Sequence, residues 1–295
     1  MPTRTGPTPR SDTAAPVTDA GSAELLAVAT AAALAGGAEL RRRAGRTRLV
    51  GVKTTGTDPV TEADLASEAA VIGRIAEDRP DDGVLGEEGA DRAGTTGLRW
   101  VVDPLDGTVN YLYGLPDFAV SVACELWVAT DPGHRPGTSG GRWSGVVGVV
   151  HDPVRGETFT AVRGGGAHLD GSPLTVADPV ETAHALVATG FGYCASSRVR
   201  QADTANRVVP AVRDVRSNGS AALSLCWVAA GRYDAFYEDE LAHWDWAAGA
   251  LVAREAGALV TGLGTGVLVA GPTLHERLGR LVSPLPSRQE AETTP

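Results

Sequence analysis

Residues 100–114 read WVVDPLDGTVNYLYG. An apolar run, Trp100-Val101-Val102, meets two aspartates, Asp103 and Asp106, with Pro104 and Leu105 between them; Gly107, Thr108 and Asn110 follow. Asp at the first position of a turn and Pro at the second are ordinary turn chemistry, so a DPxDG standing alone would be a surface turn. Here the preceding strand is wholly apolar, which implies cover on both faces. A tight turn leaving such a strand can aim both carboxylates and the Leu105 carbonyl at one point. Hard divalent cations such as Mg2+ want that kind of all-oxygen cluster. Gly107-Thr108 then leads into a short helix whose free amides suit an anion.

The chain has 295 residues, 43% of them hydrophobic, enough for a substantial core. That size suits one large domain or two lobes of about 100–150 residues each. A net charge of −10 and a pI near 5.1 argue against a nucleic-acid surface, which needs Lys and Arg patches. The basic cluster Arg41-Arg42-Arg43, with Arg46 and Arg48, falls where a helix ends and complements its negative dipole terminus. Cys124, Cys194 and Cys226 are odd in number, far apart and set in apolar surroundings. They read as small buried thiols of a reduced cytoplasmic protein. No uninterrupted apolar run reaches the eighteen or so residues of a membrane span. LLAVATAAALAGGA at 25–38 mimics a signal-peptide core, but Asp12, Asp19 and Glu24 interrupt the region before it. It runs on into ELRRR with helical spacing and reads as the first helix of the domain.

Residues 1–20 and 284–295 hold almost no large apolar side chains and are expected to be disordered tails. From 21 to 183 the pattern predicts an α+β lobe. Helices near 22–44 and 61–78 precede strands at 101–103, 118–128, 145–152 and 157–162. Gly164-Gly165-Gly166 and Asp170-Gly171 supply turns, so consecutive strands are expected to be antiparallel. TDPGHRPGTSGGRW at 130–143 reads as a long hairpin tip. From 184 to 283 strands and helices alternate, with helices near 197–211, 219–230 and 245–256, and a layered α/β lobe is expected.

Three further acidic stretches accompany the first. Gly86-Glu87-Glu88-Gly89 follows Val84-Leu85, again carboxylates at a strand end. In DPVTEAD at 58–64, Thr61 and Asp64 have the spacing of a capping box. In HWDWAAG at 243–249, Asp245 lies between two indoles at a helix start, where an N-cap is the simplest role. In the order DPVTEAD, GEE, WVVDPLDGTVN, HWDWAAG, the four stretches resemble the inositol monophosphatase family. That family belongs to the lithium-sensitive, magnesium-dependent phosphatases, which also include the fructose-1,6-bisphosphatases. The resemblance covers roughly residues 22–283, including GVVHDPVRGETFTAVRGGGA and RSNGSAALSLCWVAAGRYDAFYE. Tyr111 stands where Phe is usual and Tyr113 where His is common, and the 130–143 loop is longer than typical.

The resemblance implies a layered α-β-α-β-α sandwich and two or three Mg2+ held by Glu87, Asp103, the Leu105 carbonyl, Asp106 and Asp245. It implies that Asp64 and Thr108 orient or deprotonate a water, with Lys53 upstream. Gly107 and Thr108 would offer amides to phosphate; Glu238 would contact substrate hydroxyls; Gly219, Ser220 and Ala221 would line the same side. Five carboxylates in one cleft repel one another and any phosphate, by about 4 kcal/mol per pair at 4 Å and an effective dielectric near 20. Cations reverse that sign, so the implied reaction is hydrolysis of a phosphate monoester by in-line attack of cation-activated water. The expected substrate is myo-inositol monophosphate, a small phosphorylated polyol. Histidinol phosphate is the nearest rival, and fructose-1,6-bisphosphate or NADP are further ones. A non-catalytic regulatory protein is the alternative outside enzymology. A homodimer, lithium inhibition, and the absence of nucleic-acid and membrane partners complete the expectation. His243 and His151 read as packed or hydrogen-bonded histidines rather than ligands, since such sites prefer oxygen.

Overall fold

The computed structural model describes residues 19–46, 48–52, 59–130 and 140–283. The expected tail segments 1–18 and 284–295, the tip residues 131–139 and Lys53 lie outside the described residues.

The chain opens with helix α1 (Asp19–Arg43), the short strands β1 (Leu49–Val52) and β2 (Pro59–Thr61), and helix α2 (Glu62–Asp78). A seven-stranded sheet follows: β3 (Gly83–Gly86), β4 (Leu98–Asp106), β5 (Ala119–Ala129), β6 (Gly141–Asp152), β7 (Glu157–Val162), β8 (Gly166–Leu169) and β9 (Ser172–Pro173). Its strands lie in chain order and pair antiparallel, except that β3 runs parallel to β4. Helix α3 (Thr108–Tyr113) sits between β4 and β5. The second half carries β10 (Leu186–Thr189), α4 (Ala195–Val208), β11 (Asp214–Arg216), α5 (Ala221–Ala229), β12 (Ala235–Glu238), α6 (His243–Glu255), β13 (Leu259–Leu263), β14 (Gly266–Ala270) and α7 (Pro272–Val282). Its five strands form one mixed sheet in the order β11-β10-β12-β14-β13.

The period-two alternation of strand side chains builds five layers. Along β4, Trp100 and Val102 join Val120, Val122, Val147 and Val149 in a core with α1 and α2. Val101, one residue out of phase, joins Ala119, Ala123, Val150 and Phe159 against α5 and α6. On the far side of those helices, Phe236, Val267 and Val269 of the second sheet meet Leu225, Val228 and Ala253. Its outer face packs Ala235, Tyr237 and Leu268 on Val208 of α4 and Leu274, Leu278 and Val282 of α7. The result is the α-β-α-β-α sandwich.

Several details differ from the reading of the sequence. The 21–43 part of α1 is long and apolar enough by composition to cross a membrane. The apolar-run criterion overlooked it, because Glu24, Glu39 and Thr30 interrupt it while average hydropathy stays high. Here it lies against α2 and the seven-stranded sheet, with Leu25, Val28, Ala29, Ala32, Ala33 and Leu40 buried. Of the three thiols, Cys124 and Cys226 are buried, but Cys194 is exposed. Cys194 caps α4. The Ser196 hydroxyl and the amides of Ser196 and Ser197 pull its pKa down to about 7, as helix N-termini do to thiols. Tyr111 has a reason to be Tyr: its hydroxyl donates to the Leu40 carbonyl at 2.7 Å.

Candidate active site

Register brings the acids of the first half together. Gly86 pairs with Val102 across the parallel β3–β4 ladder, so Glu87 and Asp103 leave adjacent strand ends side by side. Asp103 shares the strand face of Val101, the face covered by α5 and α6. The turn after it is pinned from inside: Asp103 Oδ1 accepts from the Leu105 amide at 3.0 Å, and Ser67 of α2 donates to the Pro104 carbonyl at 2.7 Å.

Asp64 carries two jobs on two oxygens. Its Oδ2 takes the Thr61 amide at 2.9 Å and the Thr61 hydroxyl at 2.5 Å, closing the capping box of α2. Its Oδ1 faces away from the cap and accepts from Thr108 Oγ1 at 3.0 Å. Thr108 Oγ1 also lies 3.1 Å from the Leu105 carbonyl, so one hydroxyl proton serves two acceptors. The capping role and the Thr108 pairing therefore coexist.

Asp106 joins the two halves. It accepts from the Ser220 hydroxyl and from the amides of Ala221 at 3.3 Å and Ala222 at 2.8 Å, at the N-terminus of α5. Ser220 is also the N-cap of that helix, accepting from the Leu223 amide at 3.2 Å. Ser220 and Ala221, expected to line the substrate side, thus direct their donors at Asp106 and hold that carboxylate. The Ala222 amide was not foreseen, because a backbone donor leaves no residue-type signal. Gly107 needs to be glycine: its φ is 98°, and a Cβ there would come 2.8 Å from the Asp117 carbonyl and 3.3 Å from that of Gly219. Gly219, at φ 78°, lies against the Asn110 amide group in the same way. Asn110, the last residue of the WVVDPLDGTVN stretch but given no role by it, fastens these turns by donating to the carbonyls of Asp117 and Asn218, each at 2.6 Å.

From the second half, Asp245 and Glu238 approach the cluster. The N-cap that was the simplest local role for Asp245 falls to Ala242, and the helix starts at His243. Asp245 sits within the first turn, its Oδ2 accepting from the Ala242 amide at 2.7 Å. Glu238, two residues on from Phe236 along β12, points to the α5–α6 layer.

Charge records the convergence. Burial, then the carboxylates of Glu87, Asp106 and Asp245, push Asp103 well above the usual carboxylate range. Asp106 rises to about 6: burial dominates over the donors from Ser220, Ala222 and Ala221, with Glu87 adding to the rise. Glu238 rises to about 8 through withdrawal from water, then through Asp245, Asp106 and Asp239. Side chains from both halves therefore feel one another. The donor set (Glu87, Asp103, the Leu105 carbonyl, Asp106, Asp245) is entirely oxygen, which fits Mg2+ and not a soft metal. Among the described residues, no three acidic, His or Cys side chains already stand in the tight grouping of a bound ion. A set of mutually repelling carboxylates is expected to draw in only when a cation is present.

An α-β-α-β-α sandwich with an all-oxygen acidic cluster between its sheets defines the class of fold and site. The inositol monophosphatase family model matches residues 22–131 and 140–293, and the chain belongs to that family. It is 42% identical over 245 residues to inositol-1-monophosphatase SuhB of Mycobacterium tuberculosis (strain ATCC 25618 / H37Rv), covering 78% of this chain and 79% of that protein. It is 39% identical over 267 residues to Nus factor SuhB of Pseudomonas aeruginosa, covering 84% and 92%. The crystal structure of extragenic suppressor protein suhB from Bartonella henselae superposes with a TM-score of 0.79 at 32% identity, over 88% of this chain and 98% of that one.

Proposed function

We propose that the protein is a Mg2+-dependent phosphomonoesterase whose substrate is a small phosphorylated polyol, myo-inositol monophosphate before others. The observation that carries the reading is Asp103, a carboxylate raised first by burial and then by Glu87, Asp106 and Asp245, the last of them from the other half of the chain. Mg2+, when bound, would supply the positive charge that attracts the phosphate, acidifies water and stabilises the leaving oxygen. Glu87, Asp103, the Leu105 carbonyl, Asp106 and Asp245 would hold it.

The chain's own part in the chemistry is proton handling and orientation. Thr108 Oγ1 directs its proton at Asp64 Oδ1 and keeps lone pairs to accept a proton from the attacking water, with Asp64 as the sink. The amides of Gly107 and Thr108, at the start of α3, would take the phosphate. Glu238 faces the polyol, where its high pKa lets it act as donor as well as acceptor toward hydroxyls. The same reading carries a cytoplasmic homodimer inhibited by lithium.

The test is phosphate release from inositol-1-phosphate, histidinol phosphate, fructose-1,6-bisphosphate and NADP, with and without Mg2+. Release is expected to be fastest from inositol-1-phosphate, to need Mg2+, and to fall to background in Asp103→Asn with the fold retained. Near wild-type turnover of that variant at saturating Mg2+ would remove Asp103 from the site. Relatives named Nus factor support a second reading, a regulatory role without catalysis; no release from any of the four esters would favour it.

A further inference from the structure

Asp245 is the proposed cation ligand supplied by the second half of the chain, so whatever fixes the first turn of α6 fixes the closure of the cluster. Two β5 side chains reach that turn. Ala119 and Ala123 face α5 and α6, and by the same alternation Ser121 and Glu125 share their side. Ser121 Oγ donates to the Trp244 carbonyl at 3.4 Å, a long bond. Glu125 does more. Its Oε1 lies 2.9 Å from His243 Nε2, and its Oε2 takes Arg99 Nε and Nη2, each at 2.7 Å. A carboxylate only accepts, so His243 Nε2 carries the proton in this bond.

Glu125 is 5% exposed. Burial raises its pKa, but the His243 and Arg99 contacts more than offset this and keep it below the ordinary value. Both flanks of the chain are braced: the Arg99 guanidinium lies over the Trp143 ring at 4.3 Å, and the His243 ring meets Trp246 edge-on at 4.5 Å. On the same face of β5 the positions before it are Ala119, Ser121 and Ala123. An apolar pair of similar size would give comparable stability there without burying a charge. What a fixed carboxylate gives and an apolar pair does not is direction, imposed on a residue two places from Asp245.

We infer that Glu125 is a positioning residue for the cation cluster. Acting through His243, it anchors the first turn of α6 and sets Asp245 opposite Asp103 and Asp106. The inference rests on the cation-dependent reading above.

The test is calorimetric titration of the full chain with Mn2+, whose binding heat needs no substrate and no turnover. Wild type is expected to bind, and Asp245→Asn to lose most of that binding. Glu125→Ala and His243→Ala are each expected to weaken binding about 10–100-fold, the effect of removing an outer-shell partner, with unchanged circular dichroism. Because Glu125 acts through His243, the double variant should bind no worse than the weaker single one. Glu125→Gln keeps an acceptor for His243 and should restore most of the affinity; it and His243→Ala carry the test if Glu125→Ala does not fold. Wild-type affinity in both alanine variants while Asp245→Asn loses binding would overturn the inference and leave the site reading standing. Multiplicative losses in the double variant would also overturn it. Absence of binding by wild type would overturn the site reading, and the inference with it.

Discussion

Gly190 offers a way to move one group of the candidate site without touching its chemistry. It lies just past β10, and its backbone is outside the left-handed region, so alanine is conformationally acceptable there. The obstacle is space alone: a Cβ would fall 2.5 Å from Glu238 Cδ and 2.6 Å from Oε1, and closer still to Oε2. Non-bonded heavy atoms rest at about 3.5–4.0 Å, so the carboxylate must retreat by about 1 Å or more. It can do so, because it is the far end of a flexible side chain; the strain of leaving a rotamer well is about 0.5–1.5 kcal/mol. Gly190→Ala should therefore fold with near wild-type Tm while misplacing the group proposed to read the polyol. A misplacement of about 1 Å in a positioning group can cost about 100-fold. We expect kcat/KM for inositol-1-phosphate to fall about 10–100-fold on that basis, mostly through KM, while hydrolysis of 4-nitrophenyl phosphate, which has no ring hydroxyls, changes little. Paired progress curves on the two esters decide it. An equal loss on both, or no loss on either, would refute the reasoning that Gly190 exists to seat Glu238 and that Glu238 reads the polyol.

Asp82 tests the scaffold. Its fully buried carboxylate accepts from Arg79 Nε at 2.8 Å, Thr96 Oγ1 at 2.6 Å and Trp100 Nε1 at 3.0 Å. Asp82→Ala leaves the Trp100 N–H and the Arg79 charge without their acceptor and should cost about 3–5 kcal/mol in denaturant unfolding. Burial raises the Asp82 pKa, but the Arg79, Thr96 and Trp100 donors more than offset that and hold it below the ordinary value. Its stabilisation should be complete above about pH 4, the unfolded-state value, and be lost as pH falls through the lower folded value; a wild-type acid limb unchanged in the variant would contradict this. Gly37→Ala places a Cβ 2.5 Å from Cδ2 of the buried His151 and 3.3 Å from Pro153 Cβ. Overpacking of about 1–3 kcal/mol outweighs the better helix propensity of alanine, about 1 kcal/mol. Equilibrium unfolding should show a net loss, and a gain would mean that the α1–β6 contact is looser than drawn.

The sequence announced some of this and was silent on the rest for physical reasons. Apolar runs marked β5 and β7 almost to the residue; β6 was marked only from 145, and its first residues, Gly141 to Trp143, belong to the strand rather than to the expected hairpin tip, because Gly and Trp there carry no apolar run. The capping spacing of Thr61 and Asp64 predicted a cap that exists. Short elements escaped. β11 and β9 are too brief for any period to show, and α7, after Pro272, was not marked as a helix, whereas the short helix expected after Gly107-Thr108 is α3. In the site, Glu87, Asp103 and Asp106 were visible because acids after apolar strands are out of place, whereas Asp64 and Asp245, at helix starts, stood out only through the order of the four stretches. Their partners were invisible because they are backbone groups, such as the Ala221 and Ala222 amides, or residues with an innocuous alternative role, such as Asn110.

Glu125 falls between these cases and shows where a closer reading would have succeeded. In AVSVACELWVA the residues on one face run Ala119, Ser121, Ala123, Glu125, on a strand whose other face is Val120, Val122, Cys124. A charge at the fourth position of a covered face has to be met by a cation or a donor from whatever packs on it. The element packed there was legible as a helix beginning near a histidine, and an imidazole N–H is a donor that can meet a carboxylate without bringing a full charge. Glu125 and His243 lie 118 residues apart in the chain, a separation that no local pattern bridges. Only the layer order, which puts α6 on the inner face of the first sheet, joins Glu125 to His243. The same layer order brings Asp245 to Asp103, so the positioning contact and the cation cluster are consequences of one packing decision.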